Sequence, residues 1–182
     1  MTDFLYHYYD ASTGPFRNLS DLDIHEAERV LNSIRTQRKG FASQRSLDYL
    51  DIRFKLEELA RSLFISKGGK PIRNRPHYMT FGQVPWLLEW YPSGRELRLP
   101  ITAFDPYTVS FTYGDLFPTM RFKDDKPYRG QLYTVDKIYD VISVYGLPQE
   151  WNFNGDNGPE RYIEVQIWDD SPLNRYFSPQ YR

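Results

Sequence analysis

The sequence Arg161-Tyr162-Ile163-Glu164-Val165-Gln166-Ile167-Trp168 alternates polar and apolar side chains near the C-terminal end of the chain. Successive side chains of a β-strand lie on opposite faces of the sheet, so this pattern predicts a strand. The isoleucine and valine side chains then share the face that enters the core. The other face carries Tyr162, Glu164 and Gln166, and it faces either solvent or a cleft.

A second short segment, Phe4-Leu5-Tyr6-His7-Tyr8-Tyr9, places a histidine inside an aromatic, strand-like run. An imidazole ring can donate and accept hydrogen bonds at once, which suits recognition of a sugar hydroxyl or an amide. The alternative is a histidine tied to a backbone carbonyl. If the sheet brings the first and last strands to one cleft, His7 and Glu164 are the candidate catalytic residues.

Composition bounds the class of protein. A chain of 182 residues with 26% charged side chains is typical of one domain, predicted over 1–172 with a loosely ordered tail over 173–182. The net charge of -1 argues against strong non-specific binding of phosphates. Cysteine is absent and the three histidines lack ligand spacing, so no metal site is predicted. No apolar run could span a membrane and no basic leader is present, which predicts a cytoplasmic protein.

Periodicity predicts an α+β domain whose sheet is mostly antiparallel, and twisted or split, with about three helices. Apolar residues at helical spacing predict helices over 21–38, 46–66 and 135–145. Alternation predicts strands over 4–9, 77–81, 86–91, 96–101, 108–113 and 161–168, the third and fourth forming a hairpin. Residues 116–132, with Pro118, Pro127 and Gly130, are predicted to be irregular, either as a lid or as a long connection.

One loop carries a local concentration of positive charge. Residues 67–76 contain Lys67, Lys70, Arg73 and Arg75 next to a histidine. Such a loop could contact phosphates or a nucleic-acid backbone. It lacks the spacing of a Walker loop, and a solvated basic loop explains it equally well.

Three short motifs resemble the ADP-ribosyltransferase fold, in particular the DNA-modifying toxins of toxin–antitoxin systems, with RNA 2′-phosphotransferases more distant. They are Tyr6-His7 on the first strand, Phe111-Thr112-Tyr113-Gly114-Asp115 on a later strand, and Glu164 on the last strand, followed by Pro172. The order of elements agrees over 4–172. The chain departs from the toxins at Gln83, where they carry an arginine, and at Tyr9, where they carry a threonine.

The resemblance implies transfer of ADP-ribose from NAD+ to a nucleic acid or a protein. Glu164 would hold the nicotinamide-ribose hydroxyl, and His7 would lie against the adenosine ribose. The implied NAD+ contacts are Tyr6, Tyr8, Thr112, Tyr113 and Gln166, with Tyr8 or Tyr113 supporting the nicotinamide. The two departures imply either altered NAD+ binding, with Arg75 as a substitute cation, or a catalytically silent relative.

The high aromatic content of 17% supports a rival hypothesis from a different class. Exposed aromatic side chains favour interfaces, so the chain could be a non-catalytic domain that binds a protein or a small ligand. The candidate surface residues for that role are Trp86, Trp90, Tyr91, Trp151 and Trp168.

Overall fold

The architecture is one antiparallel sheet with helices packed on both of its faces. The computed structural model describes residues 3–37 and 41–177. Its strands are β1 (Phe4–Asp10), β2 (His77–Phe81), β3 (Gly94–Pro100), β4 (Val109–Tyr113) and β5 (Ile163–Ile167). They lie in the order β3-β1-β2-β5-β4, and every neighbouring pair is antiparallel.

The α-helices are α1 (Ile24–Gln37), α2 (Tyr49–Ser66), α3 (Leu116–Arg121), α4 (Val135–Tyr145) and α5 (Pro148–Trp151). Helix α1 begins after Asp23, whose side chain accepts a hydrogen bond from the Glu26 N–H at 2.9 Å. Helix α4 ends at Gly146, whose φ of 74° lies in the left-handed region that favours glycine. The three predicted helices are therefore present, and shorter helical segments join them.

The two faces of the sheet differ in chemistry. The first, which we call the core face, is apolar and packs against α4 through Ile138 and Val141. The second, which we call the polar face, packs against α2 and α3 through Phe64 and Leu116. The polar face nevertheless buries several hydrogen-bonding side chains in its centre: Thr80, Ser110, Thr112, Glu164 and Gln166.

The prediction of a strand over 86–91 is wrong. Pro85–Trp90 forms a 3-10 helix, in which the Leu87 N–H donates to the Val84 carbonyl oxygen at 3.0 Å. Proline at the start of this segment has no N–H to offer a sheet, and its fixed φ suits the first helical turn. The predicted hairpin is therefore absent, and β3 pairs with β1 along its whole length instead.

Two segments predicted to lack regular structure are ordered. Residues 116–132 begin with α3, because Asp115 caps the helix by accepting from the Phe117 N–H at 2.8 Å. The rest of that segment is anchored by buried Glu160, which pairs with Lys126 at 3.0 Å and with Arg129. In the predicted tail, Ser171–Phe177 is a 3-10 helix whose apolar side chains are buried in the core; residues 178–182 lie outside the described part of the chain.

Candidate functional site

A row of polar side chains crosses the polar face of the sheet. Tyr6 lies opposite Thr80, Thr80 lies opposite Glu164, and Glu164 lies opposite Thr112. Directly opposite residues in an antiparallel sheet share a face, so the row is set by strand register alone. The register places Glu164 between Thr80 and Thr112.

Hydrogen bonds hold the Glu164 carboxyl group in one orientation. Its Oε1 accepts from the Leu116 N–H at 3.3 Å and from Gln166 Nε2 at 3.2 Å. Gln166 is fixed in turn, because its Nε2 also donates to Thr112 Oγ1 and its Oε1 accepts from Ser110 Oγ at 2.9 Å. Glu164 keeps 7% of its surface exposed, whereas Gln166 and Thr112 keep none. The Glu164 carboxyl group is therefore held in place by fully buried polar side chains.

A second carboxyl group lies beside the first. Asp115 follows β4, and its Oδ2 accepts from the Tyr162 hydroxyl at 3.1 Å. Tyr162 and Glu164 are two residues apart on β5 and therefore share the polar face. Burial raises the pKa of Asp115, and burial together with the negative charge of Asp115 raises the pKa of Glu164 well above its ordinary value. Such a carboxyl pair holds a proton more tightly than an isolated carboxyl group does.

Two arginines lie on the same side of the sheet. Arg53 is buried and fully engaged, because it donates to Glu57 at 2.8 Å and to the Tyr49 hydroxyl at 2.8 Å. Arg45 is partly exposed, and its guanidinium lies 4.4 Å from the centre of the Tyr49 ring. In the described part of the chain no carboxylate lies within 4.0 Å of Arg45. Burial lowers the pKa of Arg45, while the nearby charge of Asp115 partly offsets that effect.

Aromatic side chains form one wall of this region. The 3-10 helix Pro85–Trp90 places the Trp86 ring 6.0 Å from the Tyr162 ring. The Arg161 guanidinium also stacks on Trp86, 3.7 Å from the centre of its ring. Tyr6, Tyr8 and Tyr91 belong to the same cluster. Partly buried aromatic rings beside a carboxyl pair can hold a flat ring.

The structure does not bring His7 and Glu164 together. His7 lies on the core face, where its ring stacks on Phe16 at 4.0 Å. Its Nε2 accepts from the Phe16 N–H at 2.9 Å, so its Nδ1 carries the proton and donates to the Tyr78 carbonyl oxygen at 2.9 Å. Both ring nitrogens are therefore occupied, which matches the alternative of a histidine tied to the backbone.

The other predicted residues divide between the two faces. Tyr6, Tyr8, Thr112 and Gln166 share the polar face with Glu164. Tyr113 lies on the core face, and its hydroxyl donates to the carbonyl oxygens of Tyr145 and Gly146. Thr112 and Gln166 are fully buried, so they support Glu164 from behind and do not line an opening.

The sequence analysis named Asp115 only as the end of the Phe111–Asp115 motif, without a catalytic role, and it missed Arg45, Arg53 and Glu57. Asp115 had a signal, since it ends the Gly114-Asp115 turn that follows β4. Arg53 and Glu57 are four residues apart on a helix, which is a recognisable pair. Arg45 had none, because it precedes α2 in a segment without periodicity.

Two arginines of the basic loop, and Gln83, have structural partners. Arg73 pairs with Asp21 and Asp170, and Arg75 donates to the Phe54 carbonyl oxygen. Gln83, the position of the missing arginine, donates to Glu96 at the surface.

The five aromatic residues of the rival hypothesis do not form one surface. Trp168 is fully buried beneath α2, and its Nε1 donates to Ser110 Oγ at 2.8 Å. Trp151 donates to the Tyr113 hydroxyl, which places it at the core face. Only Trp86, Trp90 and Tyr91 stand together, in and directly after the 3-10 helix.

We expect the folded protein to lose stability in acid because of two histidines on the core face. Burial lowers the pKa of His7 and of His77 to about 4, below the ordinary value of 6.5. Between pH 4 and pH 6.5 these two histidines bind protons in the unfolded chain but not in the folded chain. The free energy of unfolding therefore falls as pH drops from 6.5 to 4. Each histidine contributes up to about 3 kcal/mol to that fall.

We expect His7→Gln to be less stable at pH 7 and to lose less stability between pH 6.5 and 4, as measured by urea unfolding at several pH values. The raised pKa values of Asp115 and Glu164 act in the opposite sense, and the comparison with wild type removes their contribution. An unchanged pH slope in the variant would contradict the assignment.

Comparison with known protein families, with curated proteins and with solved structures finds no match to this chain. Among the described residues no cluster of three or more His, Asp or Glu side chains could hold a metal ion. Across residues 3–37 and 41–177 no helix has both the length and the apolar character that crossing a membrane requires. The carboxyl pair on the polar face is therefore the feature on which a functional proposal must rest.

Proposed function

We propose that this protein transfers ADP-ribose from NAD+ to a nucleic-acid or protein acceptor, with Glu164 as the key carboxylate. The proposal rests on one observation, the orientation of Glu164 on the polar face beside Asp115. Cleavage of the bond between nicotinamide and ribose develops positive charge on the ribose. When it is ionised, the Glu164 carboxylate beside that ribose stabilises the positive charge of the transition state.

NAD+ would bind against the polar face and the aromatic wall. Arg45 is the cation best suited to its pyrophosphate, because two arginines act electrostatically on Asp115 and the other, Arg53, is paired with Glu57. Tyr6 and Tyr91 offer partly exposed rings for the nicotinamide or the adenine. In this arrangement His7 supports β1 from the core face, and it has no direct part in binding.

The rival function is a non-catalytic binding domain. One observation favours it: Trp86, Trp90 and Tyr91 form a continuous aromatic wall that could receive a ligand without any chemistry. A domain of that kind needs no carboxyl pair of raised pKa behind the wall. The two functions therefore differ in whether NAD+ is bound and broken.

The test combines binding with group transfer. Purified protein is titrated with NAD+ in a calorimeter, and is then incubated with labelled NAD+ in separate mixtures with DNA, RNA and lysate protein. Binding followed by covalent labelling of one acceptor class is the expected result. Absence of both heat and label would overturn the transferase proposal and favour the binding domain.

Arg45→Met should weaken NAD+ binding by about 10- to 100-fold, because a charge-assisted hydrogen bond to a phosphate contributes about 1.5–3 kcal/mol. Calorimetric titration at fixed ionic strength measures the change. Arg29→Met, which removes an exposed arginine from α1, is the matched control and should bind as the wild type does. Equal affinity in the Arg45 and Arg29 variants would exclude Arg45 from the site.

A further inference from the structure

We propose that Asp115 is a second catalytic residue, which accepts the proton of the attacking group. This inference rests on the proposed function and assigns the acceptor side of the same site. Asp115 lies directly before Leu116, whose N–H donates to Glu164 Oε1, and the two carboxyl groups are close enough for the charge of Asp115 to act on Glu164. Asp115 is partly exposed, whereas Glu164 is buried, which places Asp115 nearer to an incoming acceptor.

Two hydrogen bonds fix the Asp115 carboxyl group. Its Oδ1 accepts from the Phe117 N–H at 2.8 Å and caps α3, while its Oδ2 accepts from the Tyr162 hydroxyl at 3.1 Å. The positive charge of Arg45 also acts on this carboxyl group. The group is therefore held without an ion-pair partner in the described part of the chain, which leaves its charge available to a reacting proton.

The proposed reaction is a substitution at C1′ of the ribose, with Glu164 and Asp115 in different roles. The bond between C1′ and the nicotinamide nitrogen breaks, and nicotinamide leaves as a neutral molecule with the bonding electron pair. A new bond forms between C1′ and an oxygen or nitrogen of the acceptor. The proton that the acceptor loses passes to Asp115, while Glu164 stabilises the positive charge on the ribose.

Two substitutions remove the carboxylate and preserve the helix cap. Asparagine and serine are both strong N-cap residues, so Asp115→Asn and Asp115→Ser should keep α3 in place. Asparagine keeps the shape of the side chain, and serine leaves room for a small anion. The thermal unfolding midpoint of each variant checks that the fold is retained.

The experiment measures nicotinamide release from NAD+, with water as acceptor, in the absence and presence of azide. Removal of a general base costs about 10²- to 10⁴-fold in rate. Azide attacks without a proton to lose, so it should restore release in Asp115→Ser and form azido-ADP-ribose. It should restore nothing in Glu164→Gln, where the transition-state charge is uncompensated.

The outcomes separate the two proposals. Release within threefold of wild type in both Asp115 variants, or a loss that azide does not repair in Asp115→Ser, overturns the role of Asp115 and leaves the proposed function standing. Absence of nicotinamide release by the wild type, with water and with each acceptor mixture, overturns the proposed function and this inference with it.

Discussion

Replacing Glu57 with alanine should lower the free energy of unfolding by about 3–5 kcal/mol, because it leaves an uncompensated buried charge. Glu57 is fully buried in α2, and its Oε1 accepts from Arg53, Ser20 and Tyr78, each at 2.8 Å. Arg53 would keep its positive charge at 9% exposure without its anion. Urea unfolding at pH 7 measures the change.

The adjacent residue supplies the control. Glu58 lies on the exposed side of α2, so Glu58→Ala should change stability by less than about 0.5 kcal/mol. The double variant Arg53→Met, Glu57→Leu should lose much less than Glu57→Ala alone, since apolar replacements remove both charges together. If Glu57→Ala lost under 1 kcal/mol, the hydrogen bonds that Glu57 accepts would not be what holds α2 on the polar face.

The order of strands and helices was largely predictable, because it follows from local periodicity. Alternation predicted β1, β2, β3, β4 and β5, and helical spacing predicted α4 over its observed range. The segment 86–91 was misjudged because three consecutive large apolar residues fit a strand and a 3-10 turn equally well. Pro85 was the deciding signal, since it cannot donate to a sheet.

The rule of alternation was applied to one strand only, and the structure places His7 on the opposite face of the sheet from Glu164. Applied to β5, it placed Glu164 and Gln166 on one face. Applied to β1, the same rule separates His7 from Tyr6 and Tyr8. Side chains that line one cleft from one strand must be two residues apart, so His7 and its two neighbours could not all contact one ligand.

Other parts of the site depend on tertiary placement that no local pattern carries. The support behind Glu164 comes from register, which sets Thr112 and Thr80 opposite it. Arg45 reaches the site only because α2 docks on the polar face. Docking in turn depends on the buried Glu57 cluster, whose members come from α2, β2 and the segment before α1.

Glu164→Gln should reduce NAD+-dependent transfer by at least about 10²- to 10³-fold, because the amide has the shape of the carboxylate without its charge. Affinity for NAD+, measured by calorimetry, should stay within a few-fold of wild type, since Arg45 and the aromatic wall are unchanged. Glu58→Gln makes the same chemical change on the exposed side of α2 and should retain full transfer. Equal transfer by both variants would remove Glu164 from the chemistry.

The same substitution has an expected effect on stability that needs no substrate. The raised pKa of Glu164 means that the folded chain holds its proton more tightly than the unfolded chain, so ionisation destabilises the fold as pH rises above the ordinary value of 4.5. Glutamine does not titrate and can still accept from the Leu116 N–H. Glu164→Gln should therefore exceed wild type in stability by a margin that grows as pH rises above 4.5, as measured by urea unfolding. A variant less stable than wild type at pH 8 would mean that the carboxylate is a structural anion. We expect the variant to be more stable and inactive, because a residue retained for its chemistry can lower the stability of the fold.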